Sequence, residues 1–212
     1  MVETQKEDTV RDSLGIFKSK ICLMFVIVFC LSLSLLYLPN LAIDLMASSQ
    51  NILGVVTGIF VNKDFGYLIG NFLLAFITLL FYFVSSTISG IRNDKFLAMG
   101  IWFSAILANF AYVFISPYSR VGGSSGLVSA FLGGVVVLAY VSAYIEPVRS
   151  SKIIQSIIGS FLFTIFIILN LNTASDINVP VHLMSFSVMA FLSLLKTHQF
   201  VKKYGKKIKR KE

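Results

Sequence analysis

The chain has 212 residues, of which 56% are hydrophobic and only 13% are charged. A charged share about half that of an average soluble domain excludes an ordinary water-soluble core and indicates a protein of the lipid bilayer. The net charge is +8 and comes largely from a lysine-rich C-terminal segment, for which nucleic-acid binding is a poor interpretation.

Six uncharged, apolar runs follow one another along the chain. They are Ile21–Leu38, Tyr67–Ile88, Leu97–Ile115, Gly122–Tyr144, Ile153–Leu171 and Val179–Leu195. Each is long enough to cross about 30 Å of hydrocarbon, and lipid favours helices because they satisfy their own backbone hydrogen bonds. We therefore predict an all-α membrane protein with a six-transmembrane-helix bundle. Residues 1–20 are predicted as a cytoplasmic leader, 21–196 as the six-span domain and 197–212 as a basic cytoplasmic tail.

The positive charges are distributed unequally between the two sides of such a bundle. When the connecting segments are assigned to alternate sides, 16 of the 18 Lys and Arg residues share one side, and only Lys63 and Arg120 lie on the other. Because cytoplasmic segments are rich in Lys and Arg, both termini are predicted to be cytoplasmic. We expect a multi-pass protein of a prokaryotic plasma membrane. The tail over Lys202–Lys211 is expected to bind anionic lipid headgroups.

The connection between the first two runs, Pro39–Phe65, is unusually long. It contains an apolar stretch, Ile52–Val61, that is too short to span a bilayer. We expect this segment to lie in the outer interface or to dip partly into the membrane.

Three polar side chains inside the runs are predicted to lie at one depth. In this topology the second, fourth and sixth runs all begin on the outer side. Asn71 is the fifth residue of the second run, Ser125 the fourth of the fourth run and His182 the fourth of the sixth. At about 1.5 Å per residue, all three lie about one turn inside the outer edge. A hydroxyl, an imidazole and a carboxamide at one level suit acyl transfer, as nucleophile, general base and oxyanion donor.

Glycines surround Ser125 in the sequence. Gly123 and Gly126 flank it, and Gly133 and Gly134 follow. Small residues allow helices to approach closely, so the fourth helix can bring its serine to the histidine of the sixth. The N–H groups at a helix start have no intrahelical acceptor, so the Ser125 amide is a second predicted oxyanion donor. Each feature also has a plainer interpretation as capping, packing or an isolated polar contact.

Ser124 is the alternative nucleophile. Together with Gly122 and Gly126 it fits the Gly-x-Ser-x-Gly elbow of soluble hydrolases. That elbow needs a strand before the serine and a helix after it, in an α/β sheet. Because so apolar a chain offers no such context, we favour Ser125.

Taken together, these residues resemble the rhomboid family of intramembrane serine proteases, over roughly residues 20–196. The Gly-Ser-Ser-Gly segment at 123–126 is similar to the family's Gly-x-Ser-Gly motif at the start of span four. His182 matches the family's base near the start of span six, and Asn71 matches its oxyanion asparagine. The resemblance implies six core spans and a catalytic dyad of Ser125 and His182. Tyr67, which stands where the family has a histidine, is expected to support the site together with the motif glycines Gly123 and Gly126.

The chain departs from the family pattern at several positions besides Tyr67. Asn62 stands where another histidine is often found, and Ser129 stands where some members have an aromatic residue that stacks on the catalytic histidine. Ser185 and Met189 replace two glycines that often follow that histidine. We expect Met189 to hold the fourth and sixth helices further apart unless it points to lipid.

The predicted function is therefore an intramembrane serine endopeptidase that cleaves transmembrane protein substrates near the outer face. No metal or other cofactor is expected, because the runs carry no cluster of His, Cys or carboxylate ligands. Two alternatives stay open. One is a catalytically inactive rhomboid-like protein that binds or chaperones membrane helices. The other is a small transporter or channel, which the scarcity of charged residues within the runs disfavours.

Overall fold

The computed structural model describes residues 19–116, 120–172 and 179–208, the side chains of 172 and 198–208 excepted. Over these ranges the regular structure is helical, and an isolated antiparallel bridge joins Ala47 to Val121. Eight α-helices and one 3₁₀ helix follow in chain order in this described part: α1 (Lys20–Leu36), α2 (Pro39–Leu45), α3 (Gly54–Thr57), the 3₁₀ helix (Gly58–Phe60), α4 (Phe65–Ser89), α5 (Asp94–Ile115), α6 (Ser125–Ile145), α7 (Arg149–Asn172) and α8 (Val179–Ile208).

Five of these helices, α4 to α8, are long and apolar enough to cross a membrane. The prediction of an α-helical, multi-pass membrane protein is confirmed at this level. The first predicted span, Ile21–Leu38, corresponds to α1, which is apolar but has only 17 residues. At about 1.5 Å per residue it measures about 25 Å, somewhat less than a typical hydrocarbon thickness. The described residues therefore contain five helices of full spanning length and a shorter one, not six full-length spans.

The first helix ends before the predicted boundary because of Pro39. A residue that precedes proline is driven out of the helical conformation, and Leu38 has φ −127° and ψ 64°. Pro39 then begins α2 within its first turn, where a missing backbone N–H costs nothing. The apolar run over Ile21–Leu38 thus overestimates the length of α1 by two residues at its end.

Polar residues fix the ends of α4 and α5. The Asp64 side chain accepts the N–H of Tyr67 at 2.8 Å and so caps the start of α4. That helix ends at Ser89 and is capped by Gly90, whose φ of 66° lies in the left-handed region that favours glycine. The Asn93 side chain accepts the N–H of Phe96 at 3.3 Å and caps α5. The link between the two helices is therefore short and defined at both ends.

The central helix of the bundle is α6. In its 18-residue apolar window 83% of the residues are buried, compared with 28–44% in the other four spanning helices. It contacts α4, α5, α7 and α8, and most extensively α8. Phe131 of α6 is fully buried, and its ring centroid lies 5.3 Å from that of Phe25 on α1. The other four long helices therefore all pack against α6.

Met189 on α8 is fully buried inside this bundle and does not face lipid. Its thioether fills space left by two glycines. A Cβ at Gly100 of α5 would lie 2.7 Å from the Met189 sulfur, and a Cβ at Gly134 of α6 would lie 3.3 Å from its methyl carbon. The missing side chains accommodate the methionine, which adapts to irregular gaps. The expectation that a buried Met189 holds α6 and α8 apart is wrong.

The segment between α1 and α4 folds onto the start of α6. Ala47 and Val121 exchange two backbone hydrogen bonds of 2.9 Å. The buried side chain of Asn109 on α5 donates to the Val55 carbonyl at 3.1 Å. These bonds join the segment to the bundle, and its location in the outer interface stays a prediction.

Parts of the predicted leader and tail lie outside the described residues, namely 1–18 and 209–212. The last helix continues to Ile208, through most of the segment predicted as a basic tail. Lipid binding by the tail stays a prediction.

Candidate active site

The residues just before α6 form a tight loop. The fourth run predicts a helix from Gly122, but α6 begins at Ser125. Gly123 has φ 128°, a conformation in which a side chain is strained, and its N–H donates to the Gly58 carbonyl at 2.8 Å. The loop therefore bends onto the 3₁₀ helix, and Ser125 becomes the first residue of α6.

Two glycines on one face of α6 bring it against α8. A Cβ at Gly126 would lie 3.5 Å from Val181 Cγ1. Gly133 follows about two helical turns later, and a Cβ there would overlap the Phe186 carbonyl oxygen and lie 3.1 Å from its carbonyl carbon. The helices therefore touch at two levels, which fixes their register. That register determines where His182, the neighbour of Val181, meets α6.

Ser125 and His182 meet at the level of Gly126. The Nε2 atom of His182 lies 2.8 Å from Ser125 Oγ, a normal hydrogen-bond distance. Both residues are buried, Ser125 with 7% and His182 with 9% of its surface exposed. When Nε2 carries no proton, the imidazole accepts the Ser125 O–H, and this arrangement activates a serine as a nucleophile. The two residues predicted to form a dyad are thus in direct contact.

Asn71 belongs to a neighbouring polar network that includes Ser124. Its Nδ2 donates to Ser124 Oγ at 3.2 Å and to Asn62 Oδ1 at 3.3 Å. Asn62 Oδ1 also accepts the Ser124 hydroxyl at 3.0 Å and the Ser124 N–H at 3.4 Å. Three donor groups therefore converge on one carboxamide oxygen. Asn71 is held beside the dyad, with its donor group directed to Ser124.

Counting residues along the apolar runs predicted one common depth for Asn71, Ser125 and His182. Their positions counted from the starts of the actual helices are unequal. Asn71 is the seventh residue of α4, Ser125 the first of α6 and His182 the fourth of α8. The second and fourth runs start at different residues from α4 and α6, whereas the sixth run and α8 both start at Val179, so the counts refer to different origins. All three residues nevertheless line one cavity.

This cavity has a volume of about 90 Å³ and lies between α4, α6, α7 and α8. Tyr67, predicted as a supporting residue, lies in its wall, as does Ser129. The loop residue Gly123 lies close to the same tyrosine, since a Cβ there would be 3.7 Å from Tyr67 Cε1. The complete lining is Tyr67, Asn71, Leu74, Ser125, Val128, Ser129, Leu132, Phe166, Leu169, Asn170 and His182.

Two asparagines of the site receive no functional role from the sequence. Asn170 lies in the cavity wall near the end of α7, where its Nδ2 donates to the Phe166 carbonyl at 2.8 Å. Asn62 is 6% exposed and anchors the Ser124 network. The sequence offered one indication for Asn170, which is a carboxamide near the end of the fifth apolar run, on the same side as the start of the sixth. Polar residues at such places usually have a partner inside the bundle.

The site offers hydroxyl, imidazole, phenol and carboxamide groups, which suit proton transfer and the stabilisation of a developing oxyanion. Within the described ranges, no group of three or more His, Cys, Asp or Glu side chains is placed to hold a metal ion. In comparisons with known proteins, the chain matches no protein-family model, no curated protein and no solved structure.

Proposed function

We propose that the protein is an intramembrane serine endopeptidase of the rhomboid type, with Ser125 as nucleophile and His182 as general base. The observation that carries this proposal is the buried 2.8 Å contact between Ser125 Oγ and His182 Nε2 at the wall of a cavity. A serine–histidine pair that only stabilises helix packing needs no adjoining space. A catalytic pair needs room for a scissile bond, and the cavity supplies part of it.

In the proposed mechanism, the pair cleaves a peptide bond in two steps. Ser125 Oγ bonds to the scissile carbonyl carbon while its proton passes to His182 Nε2. The carbon–nitrogen bond then breaks, and the amine leaves with that proton, so that an acyl ester remains on Ser125. A water molecule then loses a proton to His182 and bonds to the acyl carbon, and His182 returns that proton to Ser125 Oγ as the acyl–oxygen bond breaks. The cavity of about 90 Å³ exceeds the roughly 30 Å³ that one water occupies in the liquid.

The oxyanion of the tetrahedral intermediate needs hydrogen-bond donors. The Ser125 N–H lies in the first turn of α6, where N–H groups have no intrahelical acceptor and the helix dipole is positive. We assign Asn71 as the second donor, because it lines the same cavity. Its Nδ2 must turn away from Ser124 and Asn62 to reach the oxyanion, so the carboxamide reorients when substrate binds.

We infer the substrate class from the location of the site. The dyad is enclosed by helices of membrane-spanning length, so a protein that reaches it carries its scissile bond within or next to a transmembrane segment. We propose that α1 is a sixth, shorter span, which a locally thinner bilayer accommodates. Both termini then lie in the cytoplasm, and the start of α6 with its dyad lies on the outer side.

A serine-reactive fluorophosphonate probe tests the nucleophile directly. We expect the wild-type protein in detergent to be labelled, Ser125→Ala to lose labelling, and the matched variant Ser124→Ala to keep it. Cleavage of a model transmembrane substrate in liposomes should fall at least about 1,000-fold in Ser125→Ala and in His182→Ala. Labelling that survives Ser125→Ala but disappears in Ser124→Ala would identify Ser124 as the nucleophile and overturn this mechanism.

A second candidate function is a catalytically silent protein that binds or chaperones membrane helices. The observation that favours it is that Asn71 Nδ2 donates to Ser124 and Asn62, so this amide already has acceptors other than an oxyanion at Ser125. A silent protein would bind a transmembrane peptide equally well with and without His182 and would release no product. Product formation that depends on His182 removes this candidate.

A further inference from the structure

A second cavity, of about 100 Å³, lies far from the dyad along α6. Its lining includes Leu138, thirteen residues after Ser125 and therefore about 20 Å away along the helix. The cavity is enclosed by the end of α4, the α4–α5 link, α5, α6 and α8. Its lining residues are Tyr82, Ile91, Arg92, Asn93, Phe96, Leu97, Gly134, Leu138, Ser193, Lys196 and Thr197.

The floor of this cavity is apolar, and its shape depends on the absence of a side chain at Gly134. Leu97 and Leu138 lie in its wall next to Gly134. A Cβ at Gly134 would lie 2.8 Å from Leu97 Cδ1, so no larger residue fits there without moving the leucine. Pockets for whole drug-sized ligands measure about 300–1,000 Å³, so this one accepts only part of a larger molecule.

Two cations line the cavity, and each is positioned by an aromatic ring. The Arg92 guanidinium lies 5.0 Å from the ring centroid of Phe83 and donates to Asp94 through Nε and Nη2, both at 3.1 Å. The Lys196 ammonium lies 5.7 Å from the centroid of Phe96. Since Asp94 balances the charge of Arg92, Lys196 gives the site its net positive charge.

Ser193 adds an independent indication of a ligand. It lines the cavity, it is only 7% exposed, and its Oγ has no hydrogen-bond partner within the described part of the chain. A buried hydroxyl without a partner is unfavourable, and most such groups in proteins are satisfied. Rotation of the side chain toward the cavity would let this hydroxyl donate to an oxygen of a molecule bound there.

We propose that this cavity binds one end of an anionic phospholipid. The phosphate lies at Lys196 and Arg92, and an ester or glycerol oxygen accepts the Ser193 hydroxyl. The first carbons of one acyl chain lie against Leu97 and Leu138, while the rest of the lipid stays in the bilayer. This combination of net positive charge, a buried hydroxyl donor and an apolar floor matches an anionic amphiphile more closely than a free anion. The proposal is independent of the serine protease mechanism.

Native mass spectrometry of the delipidated full chain in detergent tests the proposal. We expect one molecule of short-chain phosphatidylglycerol to bind more tightly than phosphatidylcholine of the same chain length. Lys196→Gln should weaken phosphatidylglycerol binding about fivefold, the effect of removing one cation near an anionic lipid. The matched variant Lys95→Gln removes an exposed cation from the first turn of α5, outside the cavity, and should change the affinity less than twofold.

Ser193→Leu fills the cavity and should abolish binding, while Ser193→Ala keeps its shape and should weaken binding. Thermal unfolding of both variants identifies a folding defect, and Ser193→Ala decides the outcome if Ser193→Leu does not fold. Equal binding of the two lipids, or equal losses in Lys196→Gln and Lys95→Gln, would overturn a specific lipid site. Full competition by millimolar inorganic phosphate would instead identify a soluble phosphate ligand and reject the lipid.

Discussion

Replacing Gly133 by alanine is expected to separate the catalytic pair. The added Cβ would overlap the Phe186 carbonyl oxygen and lie 3.1 Å from both the carbonyl carbon and Cα of that residue, where ordinary contact begins at 3.4 Å. These are backbone atoms, so the helices must move apart, by about 1 Å to relieve the overlap, at a cost of about 1–3 kcal/mol. A shift of this size lengthens the Ser125–His182 contact from 2.8 Å to about 3.8 Å, beyond hydrogen-bond range.

The expected consequence is a loss of cleavage rate of about 100-fold, because a displacement of about 1 Å at a reacting centre has that effect. The assay is cleavage of a transmembrane substrate in liposomes, with thermal unfolding measured on the same preparations. Gly70→Ala is the matched control, since a Cβ on Gly70 of α4 meets no other atom within 4 Å. It should keep its rate and gain stability from the better helix propensity of alanine. A Gly133→Ala variant with wild-type rate and stability would refute the close packing of α6 on α8.

Four further substitutions test other parts of the structure by thermal or chemical unfolding. Met189→Ala should lower the free energy of unfolding by about 2–5 kcal/mol, because loss of the fully buried side chain leaves a cavity between α5 and α6. A loss below 0.5 kcal/mol, roughly the value for a surface site, would contradict the burial of Met189. Gly123→Ala and Gly90→Ala should each cost about 1–3 kcal/mol from backbone strain, but only Gly123→Ala should also slow cleavage, because that loop holds the nucleophile. Ser85→Ala should lower the free energy of unfolding by about 1–2 kcal/mol, because it removes the 2.6 Å hydrogen bond to the buried Gln155 amide oxygen. An unchanged unfolding midpoint would show that this hydrogen bond does not link α4 to α7.

Hydropathy alone located every long helix of the bundle, because a bilayer requires uninterrupted apolar residues. It was less successful at the helix ends. Gly122, Gly123 and Ser124 carry no charge, so the fourth run continued through a loop that is not helical. The positive φ of Gly123 and its hydrogen bond to Gly58 are tertiary features, and no pattern along the chain records them.

The contact between Ser125 and His182 was predicted from their positions in two runs, whereas the partner of Asn71 was not. Residue counting gives depth along a helix, but it does not give the direction in which a side chain points around the helix axis. Asn71 therefore lines the expected cavity yet donates to Ser124. The expectation that Met189 holds α6 and α8 apart was wrong for a related reason, because the glycines that accommodate its side chain belong to two other helices. Complementary volumes of this kind can be read only once the helices are assembled.

The burial of α6 has a consequence for how the membrane acts on the site. Because 83% of its apolar window is covered by protein, this helix has little contact with lipid tails, whereas most of the corresponding windows of its four neighbours remain uncovered. A thicker or thinner bilayer acts first on the tilt of those surrounding helices. Ser125 lies on the helix with the least lipid contact and His182 on one with more, so we expect the distance between the two residues to change with bilayer thickness.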